Sequence, residues 1–314
     1  MTHPCLLATF AAGSLAACYP GPSDGIDHNT AFSWDPCLLD CALSERAMAA
    51  GGARASISVT LKGASVGPIA SVSSSNPQIA SFTWTNSDPQ NVRAVSGRSG
   101  VTDLILLDSS GVEIDRAAVT VKATTLLALD GDLATGAGGT STILAGSKQL
   151  LHTTTKNGGE TLVGVGAVKF TPSGRIMTEP AIIFDDSYMF SADPGVGSVT
   201  ADCVDAHVVV PIAAVSSTAI TGVMLNLPSL TFAHTEPGKA VDVTVFAGTS
   251  TPIYSAGCTW TTMPLTGLNI SYRSGGYIGA THAATWLFSG VAGSYTAKCT
   301  VAGGKSAMLA VTVN

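Results

Sequence analysis

The chain has 314 residues, of which 46% are hydrophobic, 6% aromatic and only 11% charged, with a formal net charge of −6. So apolar a composition excludes a wholly disordered chain, and the negative balance offers no basic surface to nucleic acid. The length leaves room for two or three domains with real cores, and no apolar run of about 18 residues follows the N-terminal stretch to read as a spanning helix.

Cys5 to Ala17 (CLLATFAAGSLAA) is an apolar stretch of signal-peptide length, followed by Cys18 and YPGPSDG. Leu15-Ala16-Ala17-Cys18 resembles the lipobox of bacterial lipoproteins. The resemblance implies that residues 1–17 are a signal peptide, that Cys18 becomes the lipidated first residue, and that the membrane is a partner through this anchor. Tyr19 is not the Asp that retains such proteins at the inner membrane, so the implied address is the outer membrane or cell surface. The leader departs from the pattern in carrying His3 but no Lys or Arg before the apolar run. Residues 18–50 then read as a tether. Positions 19–36 are rich in Pro, Gly and Asp, while Pro36 to Ala50 (PCLLDCALSERAMAA) has helix-forming composition ended by Gly51-Gly52, which predicts one short helix.

Beyond residue 50 the period changes to two. Ile57, Val59 and Leu61 alternate with Ser58, Thr60 and Lys62, and the same alternation returns at Val119–Lys122, Val241–Val245 and Leu309–Val313. Such strands bury one face and wet the other. A repeat of roughly 95 residues is clearest at its end: Gly100-Val101-Thr102-Asp103, Gly197-Ser198-Val199-Thr200 and Gly293-Ser294-Tyr295-Thr296 each lead, through a turn, to a final apolar strand.

Ser71 to Val121 reads SVSSSNPQIASFTW, then RAVSGRSGVTDLILLDSSG, then AAVTV. This resembles the bacterial immunoglobulin-like (Big) domain. Cys258-Thr259-Trp260-Thr261-Thr262 and SGVAGSYTAKCTV resemble its tryptophan strand and penultimate strand, and the middle unit matches through its tail. The resemblance implies an all-β chain of tandem immunoglobulin-like β-sandwiches following the signal peptide and tether, with domains at 51–123, 124–220 and 221–314. Trp260 lies two residues after Cys258 and Tyr295 four before Cys299, so the sandwich is carried over without the antibody disulfide topology.

Cys258 and Cys299 lie in strand-like segments and are expected to pair, closing a loop of about 40 residues. Cys37 and Cys41 are close enough to pair locally; the alternative, a metal site, lacks the second ligand pair that zinc needs. Cys203 is left over as a buried thiol. Asp130-Gly131-Asp132 is the best calcium-like fragment, read as a turn. The histidines lack i, i+4 partners and no G-x-S-x-G elbow occurs. Gly303-Gly304-Lys305-Ser306 ends like a phosphate-binding loop, but a Cys holds the first position and a strand follows, so it reads as a hairpin turn.

No catalytic residue, metal or cofactor is therefore expected. The reading is a non-catalytic surface lipoprotein, an immunoglobulin-like spacer or adhesion module meeting a surface protein or glycan. The alternative is carbohydrate binding by aromatic loops of the last domain. Nine of the 19 aromatic residues lie after residue 220, and Tyr272, Arg273 and Tyr277 fall in a Gly-rich stretch where exposed rings could stack on a sugar.

Overall fold

The computed structural model describes residues 23–35, 41–62, 68–85, 91–130, 139–179, 187–254, 256–272 and 283–314. Cys18, Cys37, Arg273 and Tyr277 lie outside the described residues, as does Asp132, and Cys41 is described in its backbone alone. The chain is all-β among the described residues apart from one 3-10 turn at Ser217–Ala219. It divides into two compact units, one holding the chain up to Leu126 with 155–167 and 203–205, the other 127–154, 168–202 and 206–314.

The first unit is a sandwich of two sheets. Its strands are β1 (Ser23–Asp24), β2 (Thr30–Asp35), β3 (Cys41–Ala42), β4 (Met48–Ala49), β5 (Arg54–Leu61), β6 (Ser71–Ser74), β7 (Ala80–Thr85), β8 (Asn91–Ser96), β9 (Gly100–Leu107) and β10 (Glu113–Lys122). One sheet runs β1-β2-β5-β8-β7 with β3 on β2, the other β4-β10-β9-β6. Alternating residues from both, among them Phe32, Ile57, Val92, Leu104, Leu106 and Val119, fill one core.

Two expectations for residues 18–50 are corrected here. The supposed tether contains β1 and β2, and Thr30–Asp35 pairs antiparallel with Ser56–Leu61 to bury Phe32 and Trp34. The helix over Pro36–Ala50 does not form in its described part. Cys41–Ala42 and Met48–Ala49 are strands, and Ala47 to Ala50 are buried in succession. Four consecutive buried residues span every face of a helix, whereas extended chain with tertiary backbone partners accommodates them.

The SSSN and GVTD motifs meet in a hydroxyl network. Ser74 Oγ donates to Ala80 O at 2.6 Å, so the Thr102 hydroxyl, 2.9 Å away, donates to Ser74; Thr102 Oγ1 in turn accepts the Asn76 N–H at 2.9 Å and lies 3.2 Å from Ser75 Oγ. Thr102 is buried. Replacing it with the isosteric valine should cost about 1–3 kcal/mol by stranding these partners, read as a lowered urea midpoint with unchanged slope. The repeat glycines are explained by close approach. A Cβ at Gly100 would fall 2.7 Å from Ile79, at Gly197 2.6 Å from the Ser173 carbonyl, and at Gly293 3.1 Å from the Tyr295 ring hydroxyl.

Strands β11 (Leu126–Asp130), β12 (Ser141–Leu144), β13 (Gln149–Asn157), β14 (Glu160–Thr161), β15 (Lys169–Thr178), β16 (Ser187–Cys203) and β17 (Ala206–Val215) form one continuous sheet, β11-β13-β16-β17-β12, with β14 on β13 and β15 on β16. The last repeat is again a two-sheet sandwich. Its strands are β18 (Ile220–Leu225), β19 (Ser229–Phe232), β20 (Lys239–Ala247), β21 (Thr251–Ile253), β22 (Cys258–Met263), β23 (Leu268–Tyr272), β24 (Ala283–Gly290), β25 (Gly293–Val301) and β26 (Ser306–Val313). They assemble as β18-β20-β24-β23, with β21 on β20, and β19-β26-β25-β22. Gly303 and Gly304 take left-handed φ values in the β25–β26 hairpin, as that turn requires. Tyr254, 2% exposed, lies in the core of the preceding repeat, where its N–H meets Thr142 O at 2.8 Å and it bridges Ile143.

Candidate functional site

Three aromatic side chains gather at the edge of the last sandwich. Leu268, Ile270 and Tyr272 alternate on one face of β23, and Tyr272 lies directly opposite Trp286 of β24. Their rings meet edge to face at 5.3 Å, and Trp286 meets Trp260 of the other sheet at 6.2 Å; Trp260 in turn stands edge to face on the buried Phe288 at 5.0 Å. The indole N–H groups of Trp260 and Trp286 are buried without a hydrogen-bond partner among the described residues. Tyr272 is 54% exposed. Its ring is braced by Trp286 and about half exposed, and exposed aromatic rings can stack on a ligand. Of the three residues expected here, the structure places Tyr272 on this surface; Arg273 and Tyr277 lie outside the described residues.

A second surface was not anticipated. Met263, at the end of β22, and Leu265, in the turn after it, are 76% and 85% exposed, and Val291, in the turn after β24, is 63% exposed. The two turns are joined by the Val291 N–H to Gly267 O bond at 2.9 Å and braced by Tyr295 Oη donating to Val291 O. The signal was in the sequence, since no charged residue occurs from Cys258 to Tyr272 or from Ala283 to Ala297. Loops at one end of a sandwich are where such folds carry recognition, and clustered exposed apolar side chains mark contact surfaces.

Several groups capable of acid–base or thiol chemistry are engaged in structure among the described residues. Glu113 pairs with Arg116 at 2.6 Å. Asp115, fully buried, accepts the N–H groups of Asp27 at 2.9 Å and Asn29 at 3.1 Å, and so holds the β1–β2 turn. A Cβ at Gly25 would collide with that carboxylate. Cys203 is buried and in no disulfide, its thiol donating to Thr124 Oγ1 at 3.4 Å. Cys258 and Cys299 form a disulfide with Cα atoms 5.5 Å apart. Cys258 pairs with Val301 and Cys299 with Trp260, so the bridge runs diagonally between neighbouring strands of one sheet, unlike the inter-sheet bridge of antibody domains.

Glu160 is held by Lys122 and by the Ala47 N–H, which together keep its carboxyl below the usual glutamate range. Its contribution to the first unit is therefore complete above the ordinary value of about 4.3 and is lost as pH falls through the lowered folded value. Acid titration followed by tryptophan emission should show the first unit loosening in that window, and Glu160→Gln should flatten the dependence.

No protein-family model matches this sequence. No curated protein matches it either. Among solved structures, the Escherichia coli adhesin FdeC aligns over 97% of this chain and 100% of its own at 15% identity and a TM-score of 0.25. Domains 4–9 of the surface-layer protein SbsC align over 82% and 42% at 14% identity and 0.30. The Yersinia pseudotuberculosis adhesin InvE aligns over 57% of each chain at 11% identity and 0.24.

Proposed function

We propose that this protein is a non-catalytic surface module, exported and lipid-anchored at Cys18, whose tandem sandwiches present the last repeat for adhesion. The observation that carries this reading is the uncharged pair of loops bearing Met263, Leu265 and Val291. Burying such side chains contributes roughly 1.5–3 kcal/mol each, which multiplies across many displayed copies. The test uses cells displaying the full chain and measures their attachment to protein-coated surfaces. Met263→Ser with Leu265→Ser should abolish attachment at unchanged surface level, and Cys18→Ser should move the chain from the membrane fraction to the medium. Attachment unaffected by the loop changes would reject the reading.

The exposed face of Tyr272 favours a second reading, carbohydrate binding with Arg273 and Tyr277 as further contacts. Glycan-array binding lost in Tyr272→Ala would support it, and no binding by the folded chain would remove it.

A further inference from the structure

Residues Thr155–Ala167 continue from β13 yet belong to the first unit. Leu162, 5% exposed, completes that unit's core, with Val163 and Ala167 packed against it. Much of the rest of the attachment is backbone pairing. Val163 N–H donates to Ala47 O at 2.9 Å, Ala49 N–H to Val163 O at 3.0 Å, and Arg54 and Val165 exchange two bonds at 2.7 and 2.8 Å. Glu160 adds its ion pair with Lys122 and its bond from the Ala47 N–H.

What the segment covers is a sheet edge. β4 ends its sheet, in the order β4-β10-β9-β6, and pairs parallel with Val121–Lys122 on its inner side. Without the strap, Ala47 and Ala49 at β4, and Arg54 at the start of β5 where its pairing with β2 has not begun, would turn unpaired backbone groups outward, the arrangement that accepts a further strand. The cover is thinly anchored. Leu162 is its one fully buried apolar side chain, and Gly158, Gly164 and Gly166 break it with left-handed φ values. Besides backbone bonds, this apolar anchor and the ion pair, the segment is tied by the Asn157 amide donating to Ala123 O and the Gly158 N–H donating to Thr125 Oγ1, both at 2.8 Å, and a segment so held opens at lower cost than the core it covers.

We propose that Thr155–Ala167 is a displaceable strap over a strand-accepting edge of the first unit, and that this edge takes the same segment of a second copy. The seated strap shows the complementarity required: an extended stretch with a leucine for the core and, two positions earlier, a carboxylate for Lys122. Tethering favours the closed form through an effective concentration in the millimolar range, so exchange between copies follows when the strap is weakened.

The test keeps the full chain and uses a labelled synthetic peptide of residues 155–167 as the probe. Glu160→Gln combined with Leu162→Ala should bind the peptide at least tenfold more tightly than wild type, by anisotropy, and a scrambled peptide should not bind. Hydrogen exchange at Ala49 and Arg54 should rise at least tenfold in the variant while the β9 amides of Leu104 and Leu106 stay protected. Glu160→Gln alone, which leaves the core intact, should give the same pattern with a smaller rise. An opened variant that ignores the peptide, binds the scrambled one equally, or loses β9 protection to the same degree overturns the proposal.

Discussion

Truncating Phe32 to alanine should destabilise the first unit by about 3–5 kcal/mol, the range for a fully buried phenylalanine. The side chain is completely buried, and β2 lies between β1 and β5, so the cavity opens in the middle of a sheet and cannot collapse from an edge. Trp34, two residues on, is fixed by its indole N–H donating to Arg46 O at 3.1 Å, which limits relaxation further. In a unit of this size the loss corresponds to a fall of about 12 °C or more in the first melting transition. Calorimetry of the full chain separates the outcomes. A solvated tether would tolerate the change within about 0.5 kcal/mol, and an unmoved first transition would place β2 outside the core.

Removing the Cys258–Cys299 bridge should cost the last repeat about 4 kcal/mol, since the cross-link closes a separation of 41 residues in the unfolded chain. Cys258→Ala with Cys299→Ala, and reduction of the wild type, should lower the same transition by similar amounts. The first unit, which holds Cys203 as an unbridged thiol, should melt as before. Trp260 and Trp286 pack against the cluster containing both cysteines, so loss of the neighbouring disulfide should also raise tryptophan emission before unfolding. Coincident melting with and without reductant would mean that the bridge adds no constraint the sandwich does not already impose.

The sequence made the strands legible wherever alternation ran long enough. Val241–Val245 and Leu309–Val313 have apolar residues inward and polar residues outward as their period requires. Phe32-Ser33-Trp34-Asp35 carries the same alternation, yet its flanks of Pro, Gly and Asp outweighed four residues of pattern. Met48 and Ala49 depart from their local composition for another reason. Their helix-forming composition is a weak local preference, and backbone partners as distant as Lys122 and Val163 overrode it. The pairing of Cys258 with Cys299 could be inferred because both stood in strands of one repeat. Its diagonal course could not, since register depends on the turns between strands. The Gly-rich surroundings of Tyr272 mark it as exposed, whereas Met263, Leu265 and Val291 carry no such mark because isolated exposed apolar residues are ordinary on any surface; only the fold shows that the two turns touch.

Tyr254 has a consequence for reach. A chain of sandwiches joined by flexible linkers explores a volume set by linker length, and any site on its last member is diluted across that volume. Here the side chain that would sit near such a joint is a core residue of the preceding repeat, with Thr142 and Ile143 as its backbone partners. Bending there means exposing a buried tyrosine. The joint between the last two repeats therefore resists bending, and under the proposed reading the loops of the last one would be held in a set direction, which would raise the frequency with which a broken contact re-forms.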